Sequence, residues 1–113
     1  GVRVLREDTV SLMLRPVRAG SALRALGFDA DSPYALGRGF AMSDVAVGHG
    51  GYTGTSLWID PARDAFVVLL SNHVHRGASG TIHPLASSVA DLALAALTSP
   101  ANDELLLGID VLE

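Results

Sequence analysis

Two strand-like runs joined by a short polar connection constrain this chain most. Thr55-Ser56-Leu57-Trp58-Ile59-Asp60 alternates, with Leu57 and Ile59 on one face and Ser56 and Trp58 on the other. Asp60-Pro61-Ala62-Arg63-Asp64 supplies a turn with proline pre-set for its second position. Ala65-Phe66-Val67-Val68-Leu69-Leu70 follows as an unbroken apolar run. This pattern predicts a β-hairpin. A strand apolar on both faces is expected at the centre of a sheet covered by helices. Just before the hairpin lies a glycine-dense turn with one histidine, Gly48-His49-Gly50-Gly51-Tyr52-Thr53-Gly54. Residues without a Cβ allow close approach by another strand or by a ligand.

Upstream, Glu7 to Arg15 reads as a short helix with Asp8 as N-cap, apolar positions at Val10, Met13 and Leu14, and Pro16 as its stop. From Val17 to Tyr34 glycines, aspartates and a proline break every period, so a loop is expected, with one or two helical turns over Ser21 to Leu26. Ala35 to Met42 reads as a strand with Leu36, Phe40 and Met42 on one face. After a polar loop from Asn72 to Gly80, Ile82 to Leu97 reads as a helix with Pro84 near its start, whose stripe Leu85, Val89, Leu92, Ala93, Ala96 and Leu97 is expected to pack across the sheet. The expected fold is α/β (α+β): an antiparallel sheet of about three to four strands, packed with a short amino-terminal helix and a carboxy-terminal helix.

The order of glycines, histidine and strands carries a family resemblance. Gly48 to Pro61, followed by Phe66-Val67-Val68-Leu69-Leu70-Ser71-Asn72, resembles the third motif of the serine β-lactamase and penicillin-binding-protein superfamily. It is most similar to class C-like esterases and D-alanyl-D-alanine peptidases. There, a Lys/His/Trp-x-Gly triplet on an edge strand borders the catalytic serine. The resemblance implies a β-lactamase-like α/β domain that hydrolyses an ester, amide or D-Ala-D-Ala-type peptide through an acyl-enzyme. It places His49, Gly50 and Gly51 on the triplet and makes the backbone N–H of Tyr52 an oxyanion donor. Residues His49, Gly50, Tyr52 and Thr53 would border the substrate. No cofactor is implied, and a bacterial envelope or extracellular setting would follow.

Two further motifs of that family, Ser-x-x-Lys and Tyr-x-Asn, have no counterpart. The chain has no lysine: its eight basic residues are all arginine. Tyr34 is followed by Ala-Leu and Tyr52 by Thr-Gly. The nucleophile and its base are therefore expected on an upstream amino-terminal half of the same hydrolase domain, and this chain alone is expected to be inactive. Residues 1–99 are read as the carboxy-terminal segment of that domain. Residues 100–113 are read as a linker and the opening of a following domain, whose Gly108-Ile109-Asp110-Val111-Leu112 is similar to the start of a peptidoglycan exo-N-acetylmuramidase family. The missing initiator Met is what a chain beginning mid-protein is expected to show, and removal of a tag would look the same.

The sequence excludes or disfavours other chemistries. Without cysteine, disulfide frameworks, thiolate metal sites and cysteine nucleophiles are excluded. A net charge of −4 with scattered arginines presents no basic patch for nucleic acid. No apolar run approaches the roughly 20 residues of a membrane span. The histidines His73, His75 and His83 could be metal ligands, but loop histidines without a spaced acidic partner are usually solvated, and no metal is expected. The His-Gly-Gly sequence also resembles the oxyanion loop of α/β-hydrolases, which would require a Gly-x-Ser-x-Gly elbow that is absent. Trp58 is read as packing, and Arg38 and Arg76 as surface or paired residues. With 49% hydrophobic residues the chain can bury a core, yet one sheet face is expected to remain apolar and open, favouring self-association or docking of the upstream half. The alternative reading is a non-catalytic module that binds cell-wall peptide or a protein partner on the same scaffold.

Overall fold

The computed structural model describes residues 2–76 and 81–98. The reading of residues 100–113 as a linker and the start of another domain lies outside them. Helix α1 (Glu7–Leu14) is followed by six strands: β1 (Val17–Ala19), β2 (Ala22–Ala25), β3 (Phe28–Asp31), β4 (Val47–Gly50), β5 (Ser56–Asp60) and β6 (Ala65–Leu69). A 3-10 turn (Val74–Arg76) and helix α2 (His83–Leu97) complete the described chain. The strands form one antiparallel sheet in chain order, each pairing with the next. The α+β class is as expected, with more strands than the sequence indicated. No helix among the described residues is long and apolar enough to cross a membrane.

The additional strands lie where a loop was expected. Ala19 pairs with Ala22 across Gly20-Ser21, and Gly20 adopts φ 65°. Ala25 pairs with Phe28 across Leu26-Gly27, and Gly27 adopts φ 82°. Both are two-residue hairpin connections that need a positive φ, which glycine supplies without a Cβ clash. Ser21 to Leu26 is therefore strand and turn, not helix. The Met13 carbonyl accepts the Leu26 N–H at 3.1 Å, fastening α1 to this second turn. Asp8 does not cap α1: Arg6 occupies the N-cap, while the Asp8 carboxylate accepts from the Thr9 N–H and pairs with Arg6.

Residues 35–42 form successive turns rather than a strand. The Arg38 N–H donates to the Ala35 carbonyl and the Met42 N–H to that of Gly39. Met42 is buried, whereas Leu36 and Phe40 are exposed, so the three do not share a face. Gly39 passes so close to α2 that a Cβ there would lie 2.6 Å from an Asp91 carboxylate oxygen and 2.9 Å from the Ala90 Cβ. Asp91 also accepts the Ala41 N–H at 2.7 Å. Close approach to a helix, not sheet pairing, explains this glycine.

Two apolar clusters sandwich the sheet. On one face Trp58 packs with Met42, Ala46, Ala90 and Leu94, against which Val67 and Ala65 are half-buried. The stripe read from the sequence is not the buried one: Leu85, Leu92 and Leu97 are exposed, and α2 packs on the sheet through Ala86, Ser87, Ala90 and Leu94, whose mostly small side chains allow close approach. On the other face Val47, Ala25 and Ala30 pack with Ile59, Leu14 and Phe28. Strand β6 is an edge of the sheet among the described residues, not its centre. Phe66, Val68 and Leu70 are 70%, 49% and 79% exposed, so the second apolar face of that run has no cover there.

Candidate active site

The candidate site lies where β4 outruns its neighbour. Pairing of β4 with β3 consists of Asp29↔Gly48, whereas pairing with β5 continues through His49↔Leu57 and Gly50↔Ser56. The Gly51 N–H donates to the Thr55 carbonyl at 2.6 Å, which sets the alternation of the ladder. The backbone groups of Gly50 then point away from β5, past the end of the β3 pairing. A β-turn closes over Gly51 to Gly54, with the Gly54 N–H donating to the Gly51 carbonyl at 2.9 Å, and it does not use the Tyr52 N–H.

The glycines of this stretch have different tasks. A Cβ on Gly48 would collide with the Trp58 ring and the Leu57 carbonyl, so the buried strand crossing requires glycine. Gly51 is held against the Thr55 hydroxyl, and Gly54 adopts φ 107°. At Gly50, by contrast, no atom lies within 4 Å of a built Cβ. Its open side faces a cleft of about 520 Å³, lined by His49 to Tyr52, by Arg24 and Asp29, by the Pro33 to Leu36 turn, and by Thr81 to His83 with His73.

His49 shares a sheet face with its register partners Leu57 and Val68. Its Nδ1 lies 2.7 Å from the Gly50 carbonyl oxygen. A carbonyl can only accept, so Nδ1 carries the proton, and in the neutral ring Nε2 is left as an acceptor. The strand end thus brings the His49 imidazole and Tyr52 to the cleft.

Four of the five site residues named from the sequence, His49, Gly50, Gly51 and Tyr52, line the cleft; Thr53 does not. Instead the Thr53 carbonyl accepts the His73 backbone N–H and lies 2.9 Å from His73 Nδ1, tying the turn to the segment after β6. Among the described residues no group of three His, Asp or Glu side chains is placed to hold a metal ion. The Asn72 side chain accepts the His75 N–H at 3.0 Å, a local turn. Arg38 is spent on the Ala30 and Ser43 carbonyls, at 3.1 and 2.9 Å.

Arg24, Asp29 and Tyr34 were not singled out for the site by the sequence. The Arg24 guanidinium lies 3.1 Å from the buried Asp29 carboxylate and 6.0 Å from the Tyr34 ring centre. Ser32 also donates to Asp29, at 3.0 Å, and accepts the Tyr34 N–H. The legible signal was Ser32-Pro33-Tyr34-Ala35, a turn with proline at its second position, which the Ala35 N–H closes onto the Ser32 carbonyl.

Compared with protein families, residues 3–91 match the family model described as Beta-lactamase. The chain belongs to the β-lactamase family. Comparison with curated proteins and with solved structures gave no match. The family match covers most of the chain, including every strand and the first turns of α2, and assigns it a β-lactamase-like hydrolase fold.

Proposed function

We propose that this β-lactamase-family chain is the carboxy-terminal part of a serine acyl hydrolase, supplying the His-x-Gly strand and one oxyanion donor while an upstream amino-terminal half supplies nucleophile and base. The observation that carries this reading is the cleft at the end of β4, where His49 and Tyr52 border open space beside Gly50. No Ser-x-x-Lys or Tyr-x-Asn accompanies them in the sequence.

In the proposed reaction the upstream serine oxygen bonds to the acyl carbon of an ester, amide or D-Ala-D-Ala-type peptide, and its proton passes to the base. The carbonyl oxygen becomes an oxyanion, which the Tyr52 N–H stabilises together with a second N–H from the upstream half. Collapse expels the alcohol or amine, which takes the proton, and water then frees the acid and restores the serine. His49 Nε2 accepts a hydrogen bond from a hydroxyl of the upstream half or, when the ring is protonated, donates one to substrate.

The uncovered apolar stripe supports the partner. Val68 lies in register with Leu57 and His49, and Phe66 with Ile59, so these side chains share the face that bears His49. An upstream half docked there would bring its nucleophile to the histidine. Its absence would leave the stripe to self-association.

The test is labelling by a fluorophosphonate serine probe, read by intact mass, on this chain alone and mixed with the polypeptide encoded immediately upstream. Labelling in the mixture only, on the upstream polypeptide, is expected. Labelling of this chain alone would refute the division of labour. An unlabelled mixture that still forms a complex would leave the non-catalytic binding module.

A further inference from the structure

The cleft's fixed charges cancel. Arg24 is the one arginine that lines it among the described residues, and the chain has no lysine. Its guanidinium is held 3.1 Å from Asp29, whose side chain is 3% exposed. The remaining walls near this pair are Pro33, Tyr34, Leu36 and Ile82, which are apolar or aromatic. An anion entering the cleft would lose hydration and meet a cation already paired, with the Asp29 charge directly behind it. An uncharged flat group would meet the Tyr34 ring and the aliphatic wall at no such cost.

We infer that the Arg24–Asp29 pair makes this cleft selective for uncharged, aromatic or branched acyl groups and against acyl groups bearing a carboxylate, with Asp29 as the residue that sets the preference. The inference rests on the acyl-hydrolase reading for what the cleft binds, but its physical content is a ligand preference that this chain shows by itself. Asp29 does not touch substrate. It acts through Arg24, by cancelling a charge and by holding the guanidinium beneath Tyr34. The Ser32 hydroxyl steadies that carboxylate from the same turn that presents Tyr34.

The experiment titrates the chain with benzamide and, separately, benzoate, two rings of equal shape that differ in charge. Backbone amide signals of Gly50 and Gly51 are followed by NMR. Benzamide is expected to bind at least about five-fold tighter than benzoate, the discrimination that a half-exposed charge interaction supports. In Asp29→Asn the freed guanidinium should strengthen benzoate binding by about five-fold and leave benzamide within about two-fold.

Equal or tighter benzoate binding in the unaltered chain would overturn the inference, and so would the absence of any shift at Gly50 and Gly51 with either ring. Should Asp29→Asn fail to fold, the ratio in the unaltered chain decides alone. The fluorophosphonate result is independent of this ratio: labelled mixture with a reversed preference removes the selectivity only, whereas the expected preference without labelling removes the acyl chemistry only.

Discussion

Asp60 should be the most costly single carboxylate to lose. Its side chain is fully buried at the end of β5 and accepts four hydrogen bonds: from the Ser43 N–H at 2.7 Å, the Ser43 hydroxyl at 2.5 Å, the Ala62 N–H at 3.2 Å and Arg63 Nη1 at 3.1 Å. In Asp60→Asn one acceptor oxygen becomes an NH2. The Ser43 hydroxyl can rotate to accept from it, but the Ala62 N–H then faces another donor and the charge assistance to Ser43 and Arg63 is gone. A cost of about 2–3 kcal/mol is expected. Asp60→Ala, which strands every donor, should cost about 3–5 kcal/mol. Arg63 is 41% exposed, so Arg63→Gln should cost less than about 1 kcal/mol.

The same site predicts a pH dependence of known sign. Burial opposes ionisation of Asp60, yet the hydrogen bonds from the Ser43 side chain and backbone and the nearby Arg63 together outweigh it, and its pKa falls below the ordinary carboxylate value. A lowered folded-state pKa contributes stability that is complete above the unfolded value of about 3.9 and is lost as pH falls through the folded value. Urea unfolding followed by the fluorescence of Trp58, the sole and buried tryptophan, measures both effects. The gap between the unaltered chain and Asp60→Asn should be full at pH 7 and shrink below pH ~4. A gap under about 0.5 kcal/mol at pH 7, or one that stays constant into acid, would refute the reasoning.

Three other outcomes follow from packing. Gly48→Ala drives a Cβ into the Trp58 ring and should cost at least about 3 kcal/mol in the same unfolding assay, while Gly50→Ala, with open space around it, should cost less than about 1 kcal/mol yet reduce probe labelling of the mixture; similar costs at both positions would contradict the site geometry. Gly39→Ala must push Asp91 off the Ala41 N–H and should destabilise by about 2 kcal/mol, a loss absent from Gly20→Asn, where no neighbour lies within 4 Å and asparagine tolerates the positive φ. Phe66→Ser with Val68→Ser should lower the apparent mass in light scattering and weaken capture of the upstream polypeptide, while the midpoint of urea unfolding moves by less than about 0.5 M; unchanged association would show that the exposed stripe is not an interface.

The hairpin β5–β6 and the extents of both helices were legible from apolar runs and proline punctuation. The buried face of α2 was not: the large apolar Leu85, Leu92 and Leu97 define the apparent stripe, while the contact is made through Ala86, Ser87, Ala90 and Leu94. Strands β1 to β3 were not legible either, since three or four residues cannot display a period of two. Their trace was turn chemistry, Gly20-Ser21 and Leu26-Gly27, at the spacing of two-residue hairpins. Over residues 35–42 the opposite error arose: Leu36, Phe40 and Met42 mimic alternation, but Gly39 is there to admit α2, a tertiary contact without local signature. The site divides along the same line. His49 to Tyr52 are contiguous and readable as one motif, whereas Arg24, Asp29 and Tyr34 reach the cleft only through the β2–β3 turn and the pairing Asp29↔Gly48.

Because each strand pairs with its successor, nearly every ladder closes through a short connection, and the sheet can zip from one hairpin to the next as a low-contact-order fold does. The exception is residues 32–46, between β3 and β4. One bank of the cleft, Arg24 and Asp29, precedes this crossing, and the other, His49 to Tyr52, follows it. The chain therefore can assemble two hairpin systems early and still lack a cleft. Completion of the site waits on one loop finding its clasps, the Ser43–Asp60 and Ala41–Asp91 hydrogen bonds, so damage at those clasps would reach ligand binding before it reached secondary structure.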